Sequence, residues 1–153
     1  MARMEVYAAE LYLVRDPGVS DEELVRALSD WKRLKDGSKH PPKWNRAEIP
    51  DTLVGFLRLL FASGQAARPS HFGISNYFGI SIRGDRTNVS AYFVAEADRT
   101  PFIAQALSFV AFGLRPGTYL DIARSQGPGT HRRRYEIVLN GDGEPEVEEV
   151  VPK

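Results

Sequence analysis

The sequence contains no cysteine, and this absence excludes several kinds of chemistry. Without thiols the chain can form no disulfide, supply no cysteine nucleophile and bind no zinc through sulfur. Small secreted domains usually depend on disulfides, so the chain does not fit that class. The three histidines, His40, His71 and His131, show no H-E-x-x-H or similar close spacing. We therefore expect no metal site and no cofactor.

The chain also has no formal net charge, because its twenty Lys and Arg residues balance its twenty Asp and Glu residues. Any attraction to nucleic acid must then come from a local patch, since no global field exists. No apolar run approaches the roughly 18 residues that a membrane span needs. Near the start of the sequence, Glu5 and Glu10 interrupt the apolar residues. We therefore expect no signal peptide, which needs a charge-free apolar run. We expect a cytoplasmic chain that does not bind membranes.

Signatures of common active sites are missing as well. The chain has no P-loop, no G-x-G-x-x-G fingerprint and no G-x-S-x-G elbow. A set such as Ser75, His131 and Asp121 becomes a triad only if the fold brings the three together. We therefore expect no catalytic residue, and a small hydrolase or transferase without a recognisable motif is only our third hypothesis.

The chain contains enough apolar residues to form one hydrophobic core. Of its 153 residues, 42% are hydrophobic and 26% are charged, which is typical of a globular domain. We predict a single domain over residues 1–153. Its length and composition do not indicate an oligomeric state.

Hydrophobic periodicity predicts the element order β-α-α-β-β-α-β-β-β. Residues 6–14 are apolar on both parities and indicate a buried strand. Ser20 and Glu23 form a capping box at the start of the first helix. The second helix follows Asp51, and the third begins at Thr100. We predict an α+β fold, with a mainly antiparallel sheet of about six strands and three helices packed on it. A final Glu-rich strand, EPEVEEVV, suits a solvent-exposed edge.

Residues 80–93, ISIRGDRTNVSAYF, contain a turn signal between two alternating apolar runs. A two-residue loop at Gly84 and Asp85 places the apolar residues of both runs on one sheet face, because side chains alternate with a period of two. Glycine at the first loop position suits a type II′ turn. This loop predicts the pairs Ile82–Thr87, Ile80–Val89 and Phe78–Ala91.

The same turn includes Arg83-Gly84-Asp85, a tripeptide that cell-adhesion receptors recognise. A three-residue motif occurs often by chance. Because the strand register alone accounts for these residues, we predict that the tripeptide is a hairpin tip and not an adhesion signal.

The opposite face of this hairpin carries paired aromatics and small polar residues. The register predicts the pairs Tyr77–Tyr92, Gly79–Ser90 and Ser81–Asn88, with Arg83 and Arg86 beside the turn. Tyr, Ser, Gly and Asn provide rigid contact area and adaptable hydrogen bonds, as in antibody loops. The same tyrosines and arginines could instead stack and hold single-stranded nucleic acid. A plain solvent-facing sheet surface, or one covered by a helix, also accounts for the pattern.

Two further segments could contribute contacts. The irregular loop over residues 38–50 combines Lys43, Trp44 and Arg46, and long loops with Trp and Arg are often functional. Trp44 could equally fold back into the core. The segment GPGTHRRR is glycine-containing and cationic. Its residues His131, Arg132, Arg133 and Arg134 could hold an anion, or could simply belong to a solvated strand.

These features favour a non-catalytic protein-binding module of the inhibitor, immunity or adaptor type, whose partner is another protein. The alternative is a single-stranded nucleic-acid-binding protein that uses the same face. No motif identifies a family, and a small α+β fold alone implies no function.

Overall fold

A computed structural model describes residues 5–36, 49–62, 77–95, 100–126 and 129–150. The helices are α1 (Asp21–Asp36), α2 (Leu53–Ala62) and α3 (Thr100–Val110). The strands are β1 (Glu5–Val14), β2 (Tyr77–Arg83), β3 (Arg86–Ala95), β4 (Tyr119–Gln126), β5 (Gly129–Leu139) and β6 (Pro145–Val150). The predicted α+β class and element order are confirmed.

Each of the first two helices begins where a side chain can bond its free N–H groups. The Glu23 backbone N–H donates to Ser20 Oγ at 3.2 Å, and the Ser20 N–H donates to Glu23 Oε1 at 3.4 Å. This is the predicted capping box. The Thr52 hydroxyl accepts the Gly55 N–H at 3.0 Å at the start of α2. Local chemistry therefore sets where both helices begin.

The six strands form one antiparallel sheet in the order β2-β3-β1-β4-β5-β6. β1 lies inside the sheet between β3 and β4, and its side chains alternate between the two faces. Tyr7, Leu11 and Leu13 are buried in a core that includes residues of all three helices. Tyr7 stacks on Phe93 with ring centroids 5.0 Å apart. The helices cover this face, and the opposite face carries none of them.

The hairpin of β2 and β3 has the predicted register. Gly84 and Asp85 form the turn, and Gly84 has a φ of 62°, the positive value that the turn requires. Arg83-Gly84-Asp85 is therefore the tip of a hairpin. The observed pairs include Ile82–Thr87, Ile80–Val89 and Phe78–Ala91.

The sheet ends at β6, as the Glu-rich sequence predicts. Glu146, Glu148 and Glu149 are exposed on this strand. The turn before it is held by one side chain, because Asn140 Oδ1 accepts the backbone N–H groups of Asp142 at 2.9 Å and Glu144 at 3.0 Å. The β5–β6 hairpin thus carries its own turn-stabilising contacts.

Some predicted residues lie outside the described ranges, namely the loop residues Lys43, Trp44 and Arg46 and the serine of the hypothetical triad, Ser75. Among the described helices, none combines the length and the apolar character that crossing a bilayer requires.

Replacing Gly84 with valine tests the turn. We expect Gly84→Val to lower the free energy of unfolding by about 1–3 kcal/mol, because valine resists positive φ. Gly141→Val is a matched control, since an added Cβ meets open space at both glycines but only Gly84 has positive φ. Urea unfolding measures the two variants, and equal losses would contradict the strained-turn explanation. Asp85→Glu should leave stability unchanged.

Candidate binding face on the open side of the sheet

We name the sheet surface opposite the helices the open face. It is formed by alternate residues of neighbouring strands, which include Tyr77, Gly79, Ser81 and Arg83; Arg86, Asn88, Ser90 and Tyr92; Ala8, Glu10 and Tyr12; Tyr119, Asp121 and Ala123; Arg132, Arg134 and Glu136; and Glu146 and Glu148. One row of direct partners runs across five strands and comprises Tyr77, Tyr92, Ala8, Ala123 and Arg132. Two sites that the sequence suggested separately, the tyrosine pair and Arg132, thus share one surface.

The tyrosine pair is solvent-accessible and in contact. Tyr77 and Tyr92 are 53% and 50% exposed, and their ring centroids lie 6.2 Å apart. Gly79 makes room for Tyr77, because a Cβ at that position would clash with the Tyr77 hydroxyl. The Tyr77 ring therefore lies along its own strand and covers the glycine, a known way to stabilise a glycine in a sheet.

The two arginines beside the turn face each other across the hairpin. Arg83 and Arg86 are direct partners, and both are exposed. Arg86 donates from Nη1 to the hydroxyl oxygen of Tyr12 at 2.9 Å. Arg86 also lies 3.9 Å from Asp85. It is thus tied to the open face.

The three consecutive arginines of β5 lie on two faces of the sheet. Arg132 and Arg134 both bond to Asp121, with Nη–Oδ2 distances of 3.1 Å and 2.8 Å. Arg133 points to the other face and forms an ion pair with Glu149 at 2.6 Å. Strand alternation separates the three consecutive arginines. The backbone of His131 pairs with Arg124, and its side chain lies outside the described part of the structure.

Asp121 organises the charges of the open face. Its residue exposure is only 8%, and it accepts hydrogen bonds from two guanidinium groups. These bonds raise the pKa of Arg132, and a hydrogen bond to Glu136 is the largest cause that raises the pKa of Arg134. The arginines are therefore held in fixed positions and are already compensated.

Tyr119 joins this network to the neighbouring strand. Its hydroxyl donates to Glu10 Oε1 at 3.1 Å, and its ring lies 4.2 Å from the Arg134 guanidinium and 5.6 Å from the Tyr12 ring. Burial raises the pKa of Tyr119, and the hydrogen bond and negative charge of Glu10 raise it further. The phenol accordingly stays protonated and remains a donor at neutral pH.

A shallow depression separates the tyrosines from the charge network. Ala8 and Ala123 are small, so the sheet surface is low between taller neighbours. The depression holds about 210 Å³ and is lined by Ala8, Ala123, Ser90, Tyr92, Glu10, Asp121 and Arg132. This is below the roughly 300–1,000 Å³ of most small-molecule pockets, and it fits a single side chain of a partner.

The sequence did not identify Glu10, Tyr12 and Tyr119 as part of a site, and it indicated Asp121 only as a member of the hypothetical triad. Side chains of a strand alternate between its faces, so a strand over residues 6–14 predicts that Glu10 and Tyr12 share one face. The sequence does not predict that β4 lies beside β1, because the two strands are distant in the chain. Among the described residues, no group of three or more His, Asp or Glu is arranged to hold a metal ion.

Asp121, the acidic residue of the hypothetical triad, is occupied by two arginines. Comparison with protein-family models, curated proteins and solved structures gives no match for the chain.

The role of Asp121 can be measured through stability. We expect Asp121→Asn to lower the free energy of unfolding by about 1.5–3 kcal/mol, because two charge-assisted hydrogen bonds of a buried carboxylate weaken. The matched control is Glu149→Gln, which weakens an Arg–carboxylate pair whose side chains are 45% and 40% exposed. That change should cost less than about 1 kcal/mol. Urea unfolding compares the two, and a larger loss in the control would rule out Asp121 as the organising residue.

Proposed function

We propose that the chain is a non-catalytic protein-binding module of the inhibitor, immunity or adaptor type, and that its partner docks on the open face. The half-exposed Tyr77–Tyr92 pair, on a sheet surface that the helices leave uncovered, is the observation that carries the proposal. Tyrosine buries a large area on binding at low entropic cost, because only two torsions must be fixed. Tyrosine is also enriched among the residues that dominate interface energies.

The position of Tyr92 favours it as the central contact. β3 is hydrogen-bonded on both sides, to β2 and to β1, so the Tyr92 backbone is fixed before any partner arrives. Ser90 and Asn88 lie on the same face of that strand and are exposed, so they can supply polar contacts around the ring. A rigid aromatic group surrounded by adaptable hydrogen-bonding groups is typical of protein-binding surfaces.

The depression beside Tyr92 favours a particular partner side chain. Arg132 lines the depression as well, but its guanidinium is bound by Asp121, which compensates its charge. The other walls combine the Tyr92 ring with the carboxylate of Glu10, and Ala8 forms an apolar floor. A lysine or arginine of the partner would place its methylene groups on the floor and its charge against the ring and the carboxylate. We infer that the partner presents a cationic side chain at this point.

The charges of the face favour protein over nucleic acid. Among the described side chains, the face carries five carboxylates and four guanidinium groups, namely Glu10, Asp121, Glu136, Glu146 and Glu148 and Arg83, Arg86, Arg132 and Arg134. Arg132 and Arg134 already bond to Asp121, so a phosphate would have to compete with that carboxylate. Nucleic acid binding needs a basic surface that releases counterions.

Tyr92→Ala tests the central contact. A partner captured from a lysate of the native host is purified and titrated against both forms by calorimetry. We expect the variant to bind about 30-fold more weakly or worse, which corresponds to a loss of about 2 kcal/mol. Phe112→Ala is the control, because Phe112 is 48% exposed and lies outside the open face. If both variants lost affinity equally, the result would contradict a specific contact of the partner with Tyr92.

The nucleic acid alternative is decided by fluorescence anisotropy with mixed single-stranded oligonucleotides at low and at physiological salt. Sub-micromolar binding that falls steeply with salt and is lost in Tyr92→Ala would replace the proposed function by the alternative.

Glu10→Gln tests the partner's cationic side chain. Gln keeps an acceptor oxygen for Tyr119 but removes the negative charge, so the fold should be preserved. We expect binding of the captured protein to weaken by about tenfold at low salt and by less at high salt, because ions screen the interaction. Affinity that is unchanged or improved in the variant would argue against a cation in the depression.

A further inference from the structure

The two edges of the sheet differ in how well they resist pairing with another strand. β6 begins with Pro145 and carries Glu146, Glu148 and Glu149. Proline and charge are the usual devices that keep an edge strand from pairing. β2 has the sequence YFGISIR, with no proline and with a single charged residue, Arg83, at its end. Within the described residues, the β2 edge therefore carries neither of these protecting devices along its length.

The hairpin register shows which backbone groups of β2 face outward. Arg83 and Arg86 close the two-residue turn, so they form a hydrogen-bonded pair. Such pairs alternate along an antiparallel ladder, and the N–H and C=O groups of Phe78, Ile80 and Ile82 consequently point away from β3. Within the described structure, none of these outward groups has a backbone hydrogen bond to another element.

We propose that β2 pairs antiparallel with β2 of a second copy of the chain, about a two-fold axis at Ile80. In this register Ile80 lies opposite itself, Phe78 lies opposite Ile82, and Tyr77 lies opposite Arg83. The three outward-facing residues of each strand then bond only to one another and form about six hydrogen bonds. The outcome is a closed dimer with one continuous sheet.

Other registers fit less well. A shift by one residue would place apolar side chains of one copy beside polar side chains of the other, because faces alternate with a period of two. A shift by two residues would leave one outward-facing residue of each strand unpaired. Pairing β2 with β6 would have no closing symmetry and would oppose the glutamates and Pro145. The centred register is the one that satisfies every outward group.

The side chains of β2 are complementary in the same register. Among the described residues, six large hydrophobic side chains are notably exposed, and Tyr77 at 53% and Ile82 at 55% both belong to this short strand. Pairing brings Ile82 against Phe78 on the helix side. On the open face it brings the Tyr77 ring of one copy against the Arg83 guanidinium of the other, a favourable cation–π contact. The pairing uses Tyr77 and Arg83 of the open face but does not involve Tyr92, the proposed central contact, which lies on β3.

Cysteine cross-linking tests this register, because the native chain has no cysteine. In the proposed dimer the two Ile80 Cα atoms are about 5.5 Å apart, which a disulfide can span. The two Ile82 Cα atoms are about 14 Å apart, which it cannot. We expect Ile80→Cys to form a covalent dimer on mild oxidation and the matched control Ile82→Cys to stay monomeric on denaturing gels. Equal cross-linking of both variants, or of neither, would overturn the proposal.

Sedimentation equilibrium measures the dimer dissociation constant independently, on chains without an introduced cysteine. We expect a dimer at micromolar concentration for the native chain and for Ile80→Val, which keeps the outward N–H. Ile80→Pro lacks that N–H but spares the bonds to β3, and should raise the dimer dissociation constant by at least about 30-fold. Circular dichroism checks that the proline variant is folded, and the cysteine pair decides the matter if it is not. A native chain that is monomeric throughout would refute the pairing.

Discussion

The position of β1 inside the sheet is the constraint on which the rest of the structure depends. Leu11 lies between Val89 and Leu120 on the helix side, and the next residue toward the N-terminus, Glu10, lies between Ser90 and Asp121 on the open face. One register therefore builds the core and the binding surface together, because a slip by one residue would exchange the two sets. The register of this strand therefore cannot change without altering the core and the candidate site together.

The same register explains why a face rich in arginine is not a basic surface. Asp121 comes to lie beside Arg134 and near Arg132, and its low exposure strengthens both interactions. A carboxylate on the neighbouring strand, Glu10, holds the Tyr119 hydroxyl. The bonded network of the open face thus contains three carboxylates and two guanidinium groups, namely Glu10, Asp121, Glu136, Arg132 and Arg134. The tyrosine pair supplies the apolar area. Such a division suits recognition of a protein more than attraction of a polyanion.

The parts of the fold that depend on neighbouring residues could be predicted from the sequence. The capping box of Ser20 and the parity of the hairpin around Gly84 follow from local patterns, and the structure confirms both. The contact of Glu10 with Tyr119 could not be predicted, because it requires knowing that β4 pairs with β1. The division of the arginine run, by contrast, follows from strand alternation alone. Arg133 lies on one face, and Arg132 and Arg134 lie on the other.

The interior place of β1 also has a consequence for how the chain folds. The hairpins β2–β3 and β5–β6 join residues that are close in sequence, and each can begin to form by itself. The β1–β4 ladder brings together side chains such as those of Glu10 and Tyr119, which are 109 residues apart and hydrogen-bonded. Closing so long a loop costs entropy before any contact compensates for it, which slows folding. During synthesis β1 emerges before both of its neighbours, β3 and β4, and until they arrive its two edges stay open to chaperones and to aggregation.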